Sequence, residues 1–448
     1  MFIAEIKNLT KLAAPVSLAQ LALVGMGATD VLIAGQAGTD ELAGMNLGTN
    51  VWNMIILFFM GIGIATQALI ANQYGAQSDR GVKHQFHQSS YMCLGLGVIG
   101  TVSVLIAAWA FSFASFEADL RLIAQRFLLV ISLAAMPMCL LPAVRGTLEG
   151  ISLTAVVFWI NLAAFLLNIP LDYALVHGLW GFPKLGGVGC AWATVVLLWL
   201  MLFSACLVLK FHKKTRPKMM FSNFEKPHRE TIADTFKLGL PIGLSVVIEL
   251  SMFSGAGIMI ASFGVIEAGA HAVAITIASM SFIFYLGLGQ GVTIRASQFL
   301  GAKNSDAAWY TIKVGTILNV GLAALFCCLF LVFNQQFVAM FSNDPDVIKL
   351  AGILLIFGAV FQIPDCLQVA VICAMRAYRD TASPPKYQIF SFWLLGLPLG
   401  IGLAFYQWVP SLEGAKGMWV GMLLSLTLVA VFLLRRLKLL AVASNLKF

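Results

Sequence analysis

Long apolar runs alternate along the chain with short polar stretches. A helix needs about 20 residues to cross about 30 Å of hydrocarbon. Twelve runs reach that length, at 11–35, 44–72, 87–113, 122–144, 154–177, 187–210, 237–263, 268–297, 309–333, 347–374, 387–408 and 416–437. Runs such as 423–434 are apolar on nearly every face, without the alternation of period two that marks a membrane strand. Helix is the fitting element because each backbone N–H and C=O is then satisfied inside its own segment. The pattern predicts an all-α integral membrane protein with twelve transmembrane helices.

Composition agrees. Of the 448 residues, 60% are hydrophobic and 11% charged, and the mean hydropathy is +0.90. A soluble domain carries about 25% charged residues, so a cytosolic enzyme, a secreted disulfide scaffold and a disordered chain are all excluded. The net charge of +8 reads first as a topology signal. With an internal N-terminus, all but five of the 28 Lys and Arg residues (Arg121, Arg126, Lys184, Lys349 and Lys416) fall on the cytoplasmic side. Both termini are therefore expected in the cytoplasm. Glu5 and Asn8 precede a first run too long for a cleavable signal. The basic stretch with Lys213, Lys214, Arg216 and Lys218 lacks interleaved aromatics and reads as a topogenic loop against anionic headgroups, not as a nucleic-acid site. The eight cysteines are scattered inside the spans without metal-type spacing and read as small packing residues. His84 and His87 have no carboxylate or thiol in register. No nucleotide loop, serine elbow or HExxH motif appears, so neither enzyme chemistry nor a cofactor is expected.

The two halves repeat. A shift of 226 superposes Pro15 on Pro241, Gly38 on Gly264, Gly61 on Gly287, Gly63 on Gly289 and Gly75 on Gly301. A shift of 228 pairs Pro170 with Pro398 and Gly189 with Gly417, and one of 231 pairs Arg145 with Arg376. The expected organisation is a six-helix bundle over 1–211, a basic cytoplasmic linker over 212–236 and a second six-helix bundle over 237–448. Six is even, so both bundles enter the membrane from the same side, as parallel repeats around a central cleft. Rocking about that cleft gives alternating access.

Four acids lie inside spans: Asp30, Asp172, Glu249 and Asp365. Each costs at least ~2.5–3.5 kcal/mol in the bilayer unless it faces a cavity or a partner. Their repeat counterparts are Ala256, Gly400, Leu23 and Ala134, so the duplicated scaffold does not require them. Helix rise puts Asp30, Asp172 and Thr194 at a similar depth, with Asn168 one turn from Asp172. Two carboxylates, an amide and a hydroxyl at one level make an oxygen-rich cation or proton site, since close acids cannot both ionise cheaply. Glu249 and Asp365 fall near the midplane, with Gln362 and Gln368 flanking Asp365. Met252, Phe253 and Tyr285 are expected beside them as walls for a lipophilic organic cation. Hydrogen-bonded packing is the alternative for each of these residues. Pro15 and Pro241 lie near the starts of their helices, as tolerated first-turn prolines or as bending points.

The segments "APVSLAQLALVGMGATDVLIAG" (14–35), "NIPLDYAL" (168–175), "GVGCAWAT" (187–194), "VIELSMF" (247–253) and "QIPDCLQVAVICAMRAYRD" (362–380), in this order, resemble the multidrug and toxic compound extrusion (MATE) family over essentially the whole chain. The resemblance implies a monomeric antiporter of a bacterial inner membrane. It would export cationic amphiphilic small molecules, antibiotics among them, in exchange for H⁺ or Na⁺. Glu249 and Asp365 match the coupling acids of the NorM-type branch. Asp30, Asn168, Asp172 and Thr194 match an N-half cation site described more for the DinF-type branch, and Na⁺ is expected at the coupling residues, these four with Glu249 and Asp365, if it is the coupling ion. The mixture leaves open which half couples, and to which ion. A lipid-linked oligosaccharide flippase of related fold is the alternative; it would favour a basic cavity.

Overall fold

The structure, a computed structural model, describes residues 2–113 and 115–445. Twelve helices among them are long and apolar enough to cross a membrane: α1 (Phe2–Ala37), α2 (Thr39–Gly75), α3 (Asp79–Phe113), α4 (Ala118–Gly150), α5 (Thr154–His177), α6 (Gly187–Phe211), α7 (Arg229–Ala261), α8 (Val265–Gly301), α9 (Ser305–Val332), α10 (Pro345–Ala377), α11 (Ser383–Ala404) and α12 (Ala415–Ala443). No strand occurs among the described residues. Several helices overrun their apolar segments. The residues preceding 11 in α1 and 237 in α7 are helical, because backbone bonding continues past the hydrocarbon edge wherever the polar residues still have something to pack on.

Local chemistry sets the ends. Ser78 accepts a hydrogen bond from Gly81 N at the start of α3, and Asn304 accepts one from Ala307 N at the start of α9. Asp344 accepts from Asp346 N and Val347 N, with Pro345 in the first turn of α10. Gly178, at φ 75°, closes α5 in the left-handed conformation. In α11 the helix widens to π geometry over Ile389–Gly396. Pro398 follows directly and cannot donate to the carbonyl four residues back.

The chain packs as two units, Leu18–Gly243 and Met1–Ser17 with Leu244–Phe448. These differ from the limits at 211 and 237 expected from the apolar runs. The linker belongs to the first unit, because it docks on α3. His87 Nε2 meets Met220 O at 2.6 Å, His228 N donates to Gln88 Oε1 at 2.7 Å, and Phe224 stacks on His87. His84 pairs with Glu225, and that bond holds the Glu225 carboxyl below its ordinary range.

The first helix of each half is divided at equivalent places, after Ser17 and after Gly243, which are 226 residues apart. The start of α1 packs in the second unit. There Arg295 grips Glu5 through two bonds of 2.6 and 2.7 Å, and Thr311 donates to the same carboxylate at 2.6 Å. The start of α7 packs in the first unit, where Gln85 Nε2 donates to Thr235 at 3.0 Å. Two repeated glycines lie at these crossings: a Cβ on Gly61 would stand 2.8 Å from Gly243 Cα, and one on Gly287 2.7 Å from Ser17 Cα. Both α1 and α7 run unbroken through Pro15 and Pro241.

A second pair of glycines is equally constrained. A Cβ on Gly189 would meet Leu175 C at 2.8 Å, and one on Gly417 would meet Ala404 N at 2.6 Å. Gly189→Val and Gly417→Val should each cost about 1–3 kcal/mol through overpacking against backbone, seen as a lower unfolding temperature of the detergent-solubilised chain. Unchanged unfolding temperatures in both would contradict these close approaches.

Candidate functional site

In the first unit, α5 is held against α1 at two places above the acids. Asn161 Nδ2 donates to Ala19 O at 3.1 Å, and Phe165 lies where a Cβ on Gly25 would be, 2.8 Å from its ring. Asn161, Phe165, Asn168 and Asp172 recur at helical spacing, so the face that meets α1 also carries the polar pair. Asn168 Nδ2 donates to Asp30 Oδ1 at 3.1 Å, and Thr194 Oγ1 of α6 reaches Asp30 Oδ2 at 3.5 Å. The structure thus brings Asp30, Asn168, Asp172 and Thr194 together, as their depths predict.

Cys190 joins them. Its Sγ lies 3.6 Å from Asp30 O, and ligand atoms of Asp30, Asp172 and Cys190 all fall within 4.8 Å of one another. The sequence reading placed this thiol with the packing cysteines. The signal it missed is the spacing of four from Thr194, which puts both side chains on one face of α6. Asp30 is half-buried, whereas Asp172 and Asn168 have no exposed surface. Both Asp172 oxygens and Asn168 Oδ1 accept no hydrogen bond among the described residues. An acid cluster so placed is suited to take up protons or a small cation, which supplies the missing positive charge.

In the second unit, Gln368 Nε2 of α10 donates to Glu249 Oε1 of α7 at 3.0 Å. Asp365 lies one turn before Gln368, within electrostatic reach of Glu249, with Oδ1 buried and unpartnered. Pro364 precedes it and cannot supply the helical N–H to the carbonyl four residues back, just as Pro170 cannot beside Asp172.

The expected cavity walls lie elsewhere. Tyr285 and Gln362 have no exposed surface; Tyr285 OH and Ser281 Oγ donate to Gln362 Oε1 at 2.8 and 2.6 Å, and Gln362 Nε2 donates to Gly358 O. Met252 is buried against Ser425, and Gln368 is buried behind Glu249. Phe253 is partly buried against the same core. In this structure Tyr285, Met252, Gln362 and Gln368 lie buried between helices of the second unit, with Gln368 Oε1 left without a hydrogen-bond partner among the described residues.

Buried and half-buried acids outside the apolar runs differ from the four in one respect. Glu5 pairs with Arg295, Glu149 with Arg145 at 2.6 Å, and Asp380 with Arg436 at 2.7 Å. Glu41 accepts from Gly187 N at 2.6 Å and Glu267 from Ala415 N at 3.0 Å, capping α6 and α12. Glu41 and Glu267 are 226 residues apart, a repeated pair that the glycine comparison passed over. Among the described residues, no ion pair involves Asp30, Asp172, Glu249 or Asp365.

The MatE family model matches the chain twice, over residues 15–174 and 241–401, once in each half. A probable multidrug resistance protein NorM of Shewanella oneidensis is 32% identical over 436 residues, covering 97% of this chain and 95% of its own. The multidrug resistance protein PmpM of Pseudomonas aeruginosa is 33% identical over 435 residues, covering 97% and 91%. The crystal structure of a eukaryotic MATE transporter superposes with a TM-score of 0.88 at 17% identity, covering 100% of this chain and 99% of its own. An outward-facing multidrug resistance MATE transporter gives a TM-score of 0.85 at 18% identity, covering 98% and 96%. These two likenesses concern the fold alone.

Tyr285→Phe should lower stability by about 0.5–1.5 kcal/mol through the lost bond to Gln362, measured by thermal unfolding, and leave the selectivity among exported dyes unchanged. A shifted dye profile at full stability would return Tyr285 to a substrate-facing wall.

Proposed function

We propose that this chain, which belongs to the MatE family, is a multidrug efflux antiporter that exports cationic amphiphilic compounds across a bacterial inner membrane in exchange for H⁺ or Na⁺. The observation that carries this reading is that, among the described residues, no lysine or arginine forms an ion pair with Asp30, Asp172, Glu249 or Asp365 in an apolar, twelve-helix chain, Glu249 feeling the charge of Arg376 only at longer range. The relatives' names, multidrug resistance proteins, support the substrate class. The lysine and arginine distribution supports cytoplasmic termini.

In this reading a cationic drug and a coupling cation compete for the same negative charges. Entry of H⁺ or Na⁺ from outside neutralises the acids, weakens their hold on the drug and permits its release outward. Return of the neutralised protein to the inward-facing state delivers the coupling cation to the cytoplasm, where the next drug replaces it. One-for-one exchange of monovalent cations moves no net charge, so the gradient of the coupling cation drives it; each further coupling cation entering per drug adds ~2.3 kcal/mol per 100 mV of membrane potential. Asn168 and Thr194 orient Asp30, and Gln368 orients Glu249. Sodium would be held by the oxygens of Asp30, Asp172, Asn168 and Thr194; protons need only the carboxylates. A flippase handling a pyrophosphate lipid would need bases where these acids are.

Proteoliposomes carrying a fluorescent organic cation provide the test, with pH and Na⁺ gradients imposed separately. One of the two gradients is expected to drive transport. Asp30→Asn, Glu249→Gln and Asp365→Asn should each lower the rate at least about tenfold, a loss of roughly 1.4 kcal/mol or more, at unchanged membrane levels. Transport that survives both Glu249→Gln and Asp365→Asn would remove the second-unit acids from coupling, and transport insensitive to either gradient would end the antiport reading.

A further inference from the structure

We propose that Asp30, Asp172 and Cys190 form a binding site for a borderline-soft divalent cation, Zn²⁺ or Cd²⁺, which excludes the coupling cation when it is bound. The donor set points there. Na⁺ is hard and gains little from sulfur, whereas Zn²⁺ accepts thiolate and carboxylate together, with bonds of ~2.3 and ~2.0–2.2 Å. Such bonds set donor atoms ~3.3–3.8 Å apart around a tetrahedral ion. The three donors already lie within 4.8 Å of one another, so a small side-chain rotation closes the remaining gap.

Asp172 is the independent sign that the site is built for a ligand. It has no exposed surface, and neither carboxylate oxygen accepts a hydrogen bond of regular geometry among the described residues, Asp30 and Asn168 being its polar neighbours. Asn168 Oδ1, equally buried and unpartnered, offers a fourth donor. Cys190 is held in place by the backbone oxygen of Asp30, 3.6 Å away. No other group of three histidine, cysteine or carboxylate ligands is drawn this close among the described residues. Binding replaces the thiol S–H bond by a sulfur–metal bond, and the proton leaves to solvent. The consequence for transport rests on the coupling role proposed above for Asp30 and Asp172; the binding itself does not.

The test is a Cd²⁺ titration of the purified full chain in detergent, following the ultraviolet charge-transfer band of a sulfur–cadmium bond. A single saturable band is expected. Cys190→Ser and Cys190→Ala should both abolish it, and Asp172→Asn should weaken binding at least about tenfold. In proteoliposomes, Cd²⁺ should slow cation efflux by the unaltered chain. Relative to its own uninhibited rate, Cys190→Ser should need at least about tenfold more Cd²⁺ for the same inhibition. A band that persists in folded Cys190→Ser, or no band in the unaltered chain, overturns the site even if the acids prove essential for transport. A band lost with Cys190 while Cd²⁺ leaves efflux untouched supports the metal site and counts against the coupling role of these acids.

Discussion

A carboxylate inside hydrocarbon must have a positive partner, a proton or a route to water, and this constraint organises the chain. Outside the apolar runs, Glu5, Glu149 and Asp380 have arginines beside them, and Glu41 and Glu267 face helix N-termini. These acids are structural, because partner and acid are both fixed in the fold. Asp30 receives an amide and a hydroxyl and Glu249 an amide, while Asp172 and Asp365 Oδ1 receive no donor among the described residues; none of these groups brings a charge. Their insertion cost, ~2.5–3.5 kcal/mol or more each, is not recovered by any fixed cation in contact with them. In the antiport proposed above, a counter-charge that arrives and leaves would complete them.

The same economy of contacts shapes the scaffold. Each half lends the start of its first helix to the other packing unit, and the exchange occurs at equivalent registers, after Ser17 and after Gly243. Gly61 and Gly287 allow the close crossings, while the Glu5–Arg295 pair and the Gln85–Thr235 bond fasten the exchanged ends. Pro15 and Pro241 each stand two residues before these divisions. Each removes one backbone bond from a helix that otherwise runs straight on, so the helix is least constrained by its own ladder where it changes packing partners.

Much of this was legible in the sequence because membrane helices and glycine crossings leave one-dimensional marks. Twelve apolar runs gave twelve helices, and Gly189 with Gly417 marked two backbone contacts. Helix rise alone put Asp30, Asp172 and Thr194 at one level, and in the structure they lie close together. What stayed hidden depends on rotation about the helix axis. Tyr285 and Gln362 look like cavity walls when counted along the chain, yet they face each other across α8 and α10 and satisfy one another. Cys190 has the composition of a packing residue, and only its neighbours on α1 and α5 give it chemistry. The helical segments 2–10 and 229–236 lie outside the apolar runs because their partners are other helices, not lipid.

The two acid sites are not copies of each other. The first draws on α1, α5 and α6; the second draws on α7 and α10, and the repeat places α10 opposite α4, not opposite α5. Ala256 stands where a duplicated Asp30 would be, and Glu249 sits seven residues earlier on the same helix. The scaffold was therefore doubled without the chemistry, and each half reached its acid site by a separate route. Identical sites would fill together as the cation concentration rises. Sites with different donors, one with a thiol and an amide beside two aspartates and the other with a glutamate held by a glutamine, fill at different concentrations. In the exchange proposed above, such a difference would give one chain an order of neutralisation, and an order is what an exchanger needs to release one cation before it commits to the next.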